Sequence, residues 1–351
     1  MTRYSATGDR PATDRPKGRT VLVTGGAGYI GSHACKALAK AGYTPLAYDS
    51  LVYGHSEAVR WGPLVVGDLA DRDLLGDSIR RFDVTAVMHF AAFAFVGESM
   101  TRPEIYFRNN LANTLVLLEA ALDAGVKHIV FSSTCATYGL PETVPMDENT
   151  PQRPVNPYGE AKLMVERVLH WYGQAHGMTY AALRYFNAAG ADPDCETGEN
   201  HTPETHLIPL VLDAALGRRA QIDIFGTDYP TPDGTAIRDY IHVQDLADAH
   251  VLALEHLRSG GASLALNLGT GSGYSVREVI NAAERITGRR VPRHETKRRP
   301  GDPPALVANA GLARKVLGWT PRISDLDTIL RTAWAWHCRD LAEAPRAAAA
   351  I

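Results

Sequence analysis

A tyrosine and a lysine four residues apart carry the sharpest chemical signal in this chain of 351 residues. Tyr158 and Lys162 follow Pro157 and open a helical pattern. Residues at i and i+4 share a helix face, so the ammonium group should lie one turn from the phenol. Free tyrosine titrates near ~10, and a neighbouring cation favours the phenolate. The pair could therefore move a hydroxyl proton while a nicotinamide exchanges hydride, although a packed ring with a solvated lysine has the same spacing.

Hydroxyl side chains end the predicted strand that precedes this helix. They lie in the string Ser132-Ser-Thr134. A hydroxyl at this point could hydrogen-bond both the reacting oxygen of a substrate and Tyr158, and we choose Thr134 for this role. A simple turn or cap bond is an equally good reading of a serine or threonine at a strand end.

A glycine-rich turn lies near the start of the chain, between a predicted strand and a predicted helix. Its spacing is Gly25-x-x-Gly28-x-x-Gly31. Glycines allow the backbone to approach a pyrophosphate, which the helix N-terminus attracts. Asp49 ends the next strand, where a carboxylate accepts both ribose hydroxyls and repels a 2′-phosphate, so NAD is favoured over NADP. Asp68 follows the third strand and is placed either to meet the adenine or to begin a helix.

Strands alternate with helices in the first half of the chain. This order predicts an α/β fold, a Rossmann-type doubly wound parallel sheet. We expect a disordered leader over 1–17, an NAD-binding Rossmann domain over 18–185, a smaller mixed α/β substrate lobe over 186–340 and a flexible tail over 341–351. The predicted helices and strands of the first lobe are 20–23, 29–41, 44–48, 64–66, 71–81, 84–90, 105–124, 128–132, 159–176 and 179–183, and those of the second are 207–216 and 276–287.

Composition limits the possible partners and compartments. Lys plus Arg is 36 and Asp plus Glu is 39, so the net charge is −3 and favours neither nucleic acid nor an anionic membrane. The four cysteines are scattered without a C-x-x-C pair, which predicts reduced thiols and no metal site. No apolar run is long enough for a signal peptide or a membrane span. We therefore expect a cytoplasmic protein.

Together, these motifs resemble the extended short-chain dehydrogenase/reductase family and, within it, the UDP-sugar 4-epimerases. The resemblance runs from about Thr20 to Trp336, and the long string around Arg238 is its most discriminating part. The matching strings are TGGAGYIGSH (24–33), HFAAFAFVGES (89–99), SSTCATYG (132–139), NPYGEAKLMVE (156–166), LRYFNAAGA (183–191), GTDYPTPDGTAIRDYIHVQDLADAH (226–250) and RRPGD (298–302).

The resemblance assigns roles by position. It implies that Tyr158 is the acid/base, that Lys162 tunes it and binds the nicotinamide ribose, and that Thr134 is the hydroxyl partner. It implies an NAD site lined by Gly25, Gly28, Tyr29, Ile30, Gly31, Asp49, Asp68, Leu69, Phe90, Ala91, Asn109, Lys162 and Tyr185. It implies a UDP-sugar site formed by Thr134, Asn187, Leu207, Phe225, Arg238, Tyr240, Arg299, Asp302 and Leu306.

The implied reaction is reversible inversion at C4 of UDP-glucose and UDP-galactose through a 4-keto sugar, with NAD tightly bound, in a homodimer formed by the 105–124 and 159–176 helices. This sequence departs from many members at Ala94, where they have a lysine, and at His206, where several have asparagine. Leu306 is intermediate in size between residues that exclude and admit N-acetylated sugars. UDP-GlcNAc/UDP-GalNAc and UDP-arabinose/UDP-xylose therefore remain alternative substrates.

Rival functions share parts of this pattern. A nucleotide-sugar 4,6-dehydratase typically carries acidic residues directly after the Thr134 position, where this chain has Cys135 and Ala136. A hydroxysteroid-type reductase would lack Arg238 and Arg299. A non-enzymatic NAD-sensing scaffold would not need Tyr158, so an epimerase is the preferred prediction.

Overall fold

The central sheet of the computed structural model, which describes residues 4–5, 18–299 and 301–343, contains eight strands. Seven of them are parallel, and the two-residue strand Tyr4–Ser5 pairs antiparallel at one edge. The spatial order is Tyr4–Ser5, Leu64–Val66, Thr44–Asp49, Thr20–Thr24, Val84–His89, His128–Thr134, Thr179–Tyr185 and Leu264–Leu268. The chain reverses direction across the sheet between Thr20–Thr24 and Val84–His89, which is where doubly wound sheets open a crevice for ligands. The predicted fold class is confirmed.

Helices cover both faces of the sheet with two apolar layers. Tyr29–Lys40 and Val243–Arg258 pack on one face, in a core that includes Leu38 and Leu246. The opposite face is covered by Arg72–Arg81, Asn113–Asp123 and Pro157–His176. Strands that are buried on both faces read as continuous apolar runs, which is why their positions could be predicted from sequence.

The predicted helix over 105–124 differs from the observed backbone. It begins with Pro103–Tyr106, winds as a π-helix over Phe107–Ala112 and becomes a regular α-helix only over Asn113–Asp123. In the wider turn, the Asn110 amide donates to the Phe93 oxygen at 2.8 Å and accepts from the Phe93 nitrogen at 2.8 Å. The irregular turn therefore fixes the loop after Val84–His89, beside the crevice.

The first lobe contains a later segment of the chain in addition to the residues before the predicted boundary at 185/186. Leu264–Leu268 pairs in parallel with Thr179–Tyr185, so residues 243–268 return to the first lobe. Local periodicity cannot reveal a pairing between strands so far apart in the chain. Residues 4–5 of the predicted leader lie in the sheet and residues 341–343 of the predicted tail continue a helix, whereas the remainder of both segments lies outside the described residues.

Seven further helices and seven further strands complete the elements of the described residues. The helices are Ser56–Ala58, Val96–Thr101, Cys135–Tyr138, Leu207–Leu216, Val276–Thr287, Gly311–Leu317 and Leu326–Glu343. The strands form three small sheets: Tyr274–Ser275 with Ile237–Arg238 and Ala305–Leu306, Tyr240–His242 with Asn187–Ala189, and Arg293–Thr296 with Ile222–Phe225. No helix among the described residues has both the length and the apolar character that a membrane span requires.

Candidate active site

A cavity of about 700 Å³ opens at the carboxyl ends of the parallel strands. The proposed catalytic residues Tyr158, Lys162 and Thr134 line it. Every residue predicted for the cofactor lines it as well: Gly25, Gly28, Tyr29, Ile30, Gly31, Asp49, Asp68, Leu69, Phe90, Ala91, Asn109, Lys162 and Tyr185. The fold therefore brings the glycine-rich turn and the tyrosine–lysine pair to one space, although they are far apart in sequence.

The glycine-rich turn tolerates no side chain at two of its positions. Gly25 has a positive φ of 73°, and a Cβ there would lie 2.7 Å from the nitrogen of Ala91. A Cβ on Gly31 would lie 2.0 Å from the oxygen of Gly25. The turn is thus packed against its own helix and the neighbouring strand end. The first N–H groups of the helix have no partner within the helix, and these groups suit a pyrophosphate.

The Asp49 carboxylate is fixed by the turn that it adjoins. One of its oxygens accepts from the nitrogen of Ala27 at 3.0 Å and the other from the nitrogen of Leu51 at 2.9 Å. Burial raises the pKa of this carboxyl, while these two bonds oppose the rise. A carboxylate oxygen can accept more than one hydrogen bond, so both oxygens retain capacity for ribose hydroxyls.

Asp68 is exposed and lines the cavity, so a contact with adenine stays a prediction. Its Oδ1 accepts from the nitrogen of Ala70 at 2.8 Å and from the Asn113 amide at 3.3 Å. It does not begin the following helix, because the N-cap residue of Arg72–Arg81 is Asp71, which accepts from the nitrogen of Leu74 at 3.1 Å. A large cavity with a glycine turn at one end and two carboxylates beyond it fits a dinucleotide.

Tyr158 and Thr134 form the reactive end of the cavity. The side chain of Thr134 lowers the pKa of the Tyr158 phenol, but burial has the larger effect and raises that pKa to about 12. The Thr134 hydroxyl oxygen also accepts from the nitrogen of Ala136 at 3.1 Å, which is the turn bond considered above. The phenol is therefore neutral at pH 7, and its expected partner Thr134 lines the same cavity.

Lys162 contacts the strand rather than the phenol. Its Nζ donates to the oxygen of Ser132 at 2.7 Å and lies 4.8 Å from the centre of the Phe131 ring. Burial lowers the pKa of Lys162 to about 7, while the charge of Glu166 opposes this fall. The i, i+4 spacing predicted a direct effect of Lys162 on the phenol. In the structure, however, the pKa of Tyr158 is shifted by burial, by Thr134 and by Cys135, and Lys162 is not among the causes.

Further hydrogen bonds support the site, and those of His89 had no clear sequence signal. The Ser132 and Tyr185 hydroxyls form a short hydrogen bond. His89 contacts the hydroxyls of Thr24 at 2.7 Å and Thr114 at 2.8 Å, and burial lowers its pKa to about 3, so the imidazole is neutral. These contacts join strand ends and helices that only the tertiary fold makes neighbours.

The predicted substrate residues fall into two groups. Asn187, Asp302 and Leu306 line the cavity, as does Thr134, whereas Leu207, Phe225, Arg238, Tyr240 and Arg299 are not among the residues that line it. Tyr240 is buried on the strand paired with Asn187, and Leu207 begins a helix of the second lobe.

The predicted phosphate and uracil residues are grouped close to one another. The Arg299 guanidinium lies over the Phe225 ring at 3.7 Å. Arg238 donates to the oxygen of Pro303 at 3.0 Å and lies 3.5 Å from the Asp302 carboxylate. Asp302 lines the cavity, so this group adjoins it and offers two guanidinium groups and an aromatic face.

A group of charged residues forms a further part of the cavity wall. Glu199, His201 and His206 line the cavity, and of these only His206 was singled out from the sequence. The carboxylates of Glu199 and Glu204 raise the pKa of His201 to about 9 and that of His206 to about 10. The order of these residues in the sequence gave no indication that their side chains would converge.

The fold and this site define a class of protein. It is an α/β enzyme that holds a dinucleotide beside a tyrosine–lysine pair, as the extended short-chain dehydrogenases/reductases do. Residues 21–269 match the NAD dependent epimerase/dehydratase family, and the chain belongs to that family.

Curated relatives narrow the comparison. A UDP-glucose 4-epimerase of Rhizobium leguminosarum bv. trifolii is 54% identical over 92% of this chain and 98% of its own length. A UDP-glucose 4-epimerase of Streptococcus mutans is 52% identical over 90% of this chain and 96% of its own length.

Solved structures agree with this comparison. The UDP-glucose 4-epimerase of Brucella ovis in complex with NAD is similar with a TM-score of 0.89 and 53% identity, over 90% of this chain and 98% of that one. The enzyme of Stenotrophomonas maltophila with bound NAD and formylated UDP-arabinopyranose has a TM-score of 0.89 and 42% identity, over 93% of this chain and 100% of that one.

Substitution Gly31→Ala tests the glycine turn. The added methyl would overlap the oxygen of Gly25, so we expect the purified variant to carry much less NAD than the unmodified protein. The measurement is the NAD released on denaturation, quantified by chromatography. Gly97→Ala is the matched control because a Cβ at Gly97 meets nothing within 4 Å. Equal NAD content in both variants would contradict the assignment of the turn.

Substitution Lys162→Met tests the buried charge. The folded pKa of about 7 lies below the ordinary value of 10.5, so between these values the unfolded chain binds more protons. The contribution of Lys162 to the free energy of unfolding therefore rises with pH between about 7 and 10.5, and it is lowest below pH 7. In cofactor-free protein, we expect Lys162→Met to raise the thermal midpoint at pH 7, with the gain shrinking towards pH 10. The exposed Lys315→Met should show no such trend, and a gain that does not depend on pH would argue against a buried ammonium.

Proposed function

We propose that this chain interconverts UDP-glucose and UDP-galactose by inverting the configuration at C4, with NAD held in the cavity. The observation that carries this proposal is that Tyr158 and Thr134 share one cavity with the glycine turn and Asp49. The names of the relatives support the same reaction, and the complexes with NAD of similar structures support the same cofactor.

Tyr158 moves the proton in this reaction. NAD held by the glycine turn and Asp49 would supply the acceptor and donor for the C4 hydride, and its charged ring would add positive charge to the cavity. That charge, together with a protonated Lys162, would lower the pKa of the Tyr158 phenol from about 12. The Tyr158 phenolate takes the proton of the 4-hydroxyl, and Thr134 orients the same oxygen. After the 4-keto sugar has turned over, the hydride adds to the opposite face of C4 and Tyr158 returns the proton to the C4 oxygen.

The substrate is held chiefly by its nucleotide end. Arg238 and Arg299 provide guanidinium groups that suit a diphosphate, and Phe225 provides a face for the uracil. We assign Asn187, Tyr240, Leu207 and Asp302 to the same UDP-sugar site. Leu306 is the apolar residue of this set that lines the cavity. If UDP is bound tightly and the sugar makes few contacts, the 4-keto sugar can turn and present its second face.

Dehydration is disfavoured by the residue that follows Thr134. Elimination of water needs an acid at this point, and Cys135 is buried, with the pKa of its thiol raised to about 12 by burial. The thiol is therefore a poor proton donor at neutral pH. UDP-pentoses and N-acetylated UDP-sugars are alternative substrates, which the following experiment compares directly.

Substitution Tyr158→Phe tests the reaction. Purified protein is incubated with UDP-glucose without added NAD, and the nucleotide sugars are resolved by chromatography. We expect unmodified protein to reach a stable mixture with UDP-galactose, and Tyr158→Phe to lower the rate by about 10²–10⁴-fold because the proton carrier is lost. UDP-arabinose and UDP-GlcNAc are assayed in the same way.

The control keeps the helix unchanged. Tyr172→Phe removes a hydroxyl from the same helix at a residue that does not line the cavity, and full activity is expected. Calorimetry with UDP should give the same affinity for Tyr158→Phe as for unmodified protein. Full turnover by Tyr158→Phe would exclude the mechanism. Turnover of a UDP-pentose or an N-acetylated sugar alone would keep the chemistry but change the substrate.

We further assign the chain to a cytoplasmic homodimer. All four cysteines are free, which suits a reducing compartment. The helices Asn113–Asp123 and Pro157–His176 present apolar side chains outward: Leu115 and Met164 are half-buried, and Trp171 is 68% exposed. A second copy that packs on these helices would cover this surface.

Substitution Trp171→Glu tests the dimer. A carboxylate at the centre of an apolar helix interface is costly to bury, so we expect sedimentation velocity to show a shift from dimer to monomer. Leu252→Glu is the matched control because Leu252 is an exposed apolar residue on Val243–Arg258, which covers the other face of the sheet. A monomeric unmodified protein would refute this assignment.

A further inference from the structure

Two groups of acidic and histidine side chains are compact enough to hold a metal ion among the residues that the structure describes. The first contains Asp192, Asp194 and Glu196, but the Lys36 ammonium already lies between them at 2.8, 3.0 and 2.6 Å. The second contains Glu199, His201, Glu204 and His206, and its donor atoms all lie within 4.8 Å of one another. Only the second group is without a lysine at its centre.

The donor atoms of the second group lie at distances close to those between tetrahedral ligands. His206 Nδ1 lies 2.8 Å from Glu199 Oε1 and 2.9 Å from Glu204 Oε1. His201 Nδ1 lies 3.3 Å from Glu199 Oε1 and 3.5 Å from Glu204 Oε2. Ligands about 2.0–2.1 Å from a tetrahedral Zn²⁺ are separated from each other by roughly 3.3 Å. Small shifts would place all four around one ion.

One of the four proposed ligand atoms, His201 Nδ1, is buried without a hydrogen-bond partner. His201 Nδ1 is shielded from solvent and makes no well-aligned hydrogen bond, although a carboxylate oxygen is near. The Glu199 side chain is only 5% exposed. Glu204 Oε1 accepts from the nitrogens of Thr205 at 2.7 Å and His206 at 2.8 Å, which fixes the direction of this carboxylate. Such supporting bonds are what orients the ligands of a metal site.

We propose that Glu199, His201, Glu204 and His206 bind one Zn²⁺ ion in a closed tetrahedral site. The two imidazoles bind through Nδ1 in their neutral form, so the two imidazolium protons are released to solvent when the ion enters. The carboxylates neutralise the ion. Four protein ligands leave no position for water, which makes the site structural rather than catalytic.

The position of the site indicates what it stabilises. All four ligands come from residues 199–206, a segment that has no regular secondary structure. The Tyr29 ring of the glycine turn contacts the His201 ring edge-on, with 6.3 Å between ring centres. A bound ion would therefore fix the wall of the cavity that lies against the cofactor turn. This inference does not depend on which sugar nucleotide the chain converts.

The test is metal binding by protein without a polyhistidine tag. After removal of metals with EDTA, Zn²⁺ is titrated in competition with a chromogenic chelator at pH 8, and Co²⁺ is added to a second sample for its visible spectrum. We expect one equivalent of Zn²⁺ to bind, and Co²⁺ to give the intense absorption bands of tetrahedral coordination. The thermal midpoint should rise with Zn²⁺ and fall with EDTA.

Substitution of the proposed ligands tests where the ion binds. His206→Ala and Glu204→Gln should each lower Zn²⁺ affinity at least about 10-fold. His294→Ala is the matched control because His294 pairs with a carboxylate, Asp223, at 3.3 Å on another strand and should bind Zn²⁺ normally. No uptake by unmodified protein would show that the four side chains form only an imidazolium–carboxylate cluster. Uptake that survives both variants would place the ion elsewhere.

Discussion

A lysine side chain buried at the carboxyl ends of the parallel strands is the constraint on which the remainder of the site depends. Lys162 must stay close to Tyr158, yet burial of its ammonium is costly, as its lowered pKa of about 7 shows. The oxygen of Ser132, the face of Phe131 and the charge of Glu166 offset part of that cost. The site therefore needs a negative charge that is itself buried and held in place.

Glu166 is held by a network that crosses the sheet. It pairs with Arg184 at 2.6 Å and accepts from the Ser133 hydroxyl at 2.5 Å. Arg184 donates to the Tyr138 hydroxyl at 3.0 Å, which in turn donates to Asn267 at 2.6 Å. Asn267 lies on the strand that returns from the second half of the chain. The late strand thus completes the support of the catalytic helix, in addition to covering a sheet edge.

The sequence was most informative where function depends on local conformation. The glycine turn and the Tyr158 helix are set by spacing over a few residues, and the observed elements agree with that spacing. The π-helical turn at Asn110 and the role of Asn267 arise from contacts between distant segments, which periodicity does not encode. The wall formed by Glu199 and His206 was missed for a different reason, because an irregular loop has no periodic pattern that could indicate which side chains converge.

The two lobes are joined most firmly beside the cofactor turn. Helix Tyr29–Lys40 is tied to the second lobe by the Tyr29 hydroxyl on the oxygen of Gly190 at 2.6 Å, by Ser32 with Thr197 at 2.7 Å and by Lys36 with Asp192 at 2.8 Å.

By contrast, Leu306 lies on a two-residue strand paired with Ile237–Arg238, and neither strand belongs to the central sheet. Side-chain contacts thus tie the lobes at the end of the cavity where the dinucleotide is proposed to bind. The proposed sugar end is built from short elements, which backbone hydrogen bonds of Met146 with Val307 and Asn309 join to the first lobe. A cofactor that is regenerated in each cycle has no need to leave, whereas the sugar must turn over within its site. The distribution of contacts suits both requirements.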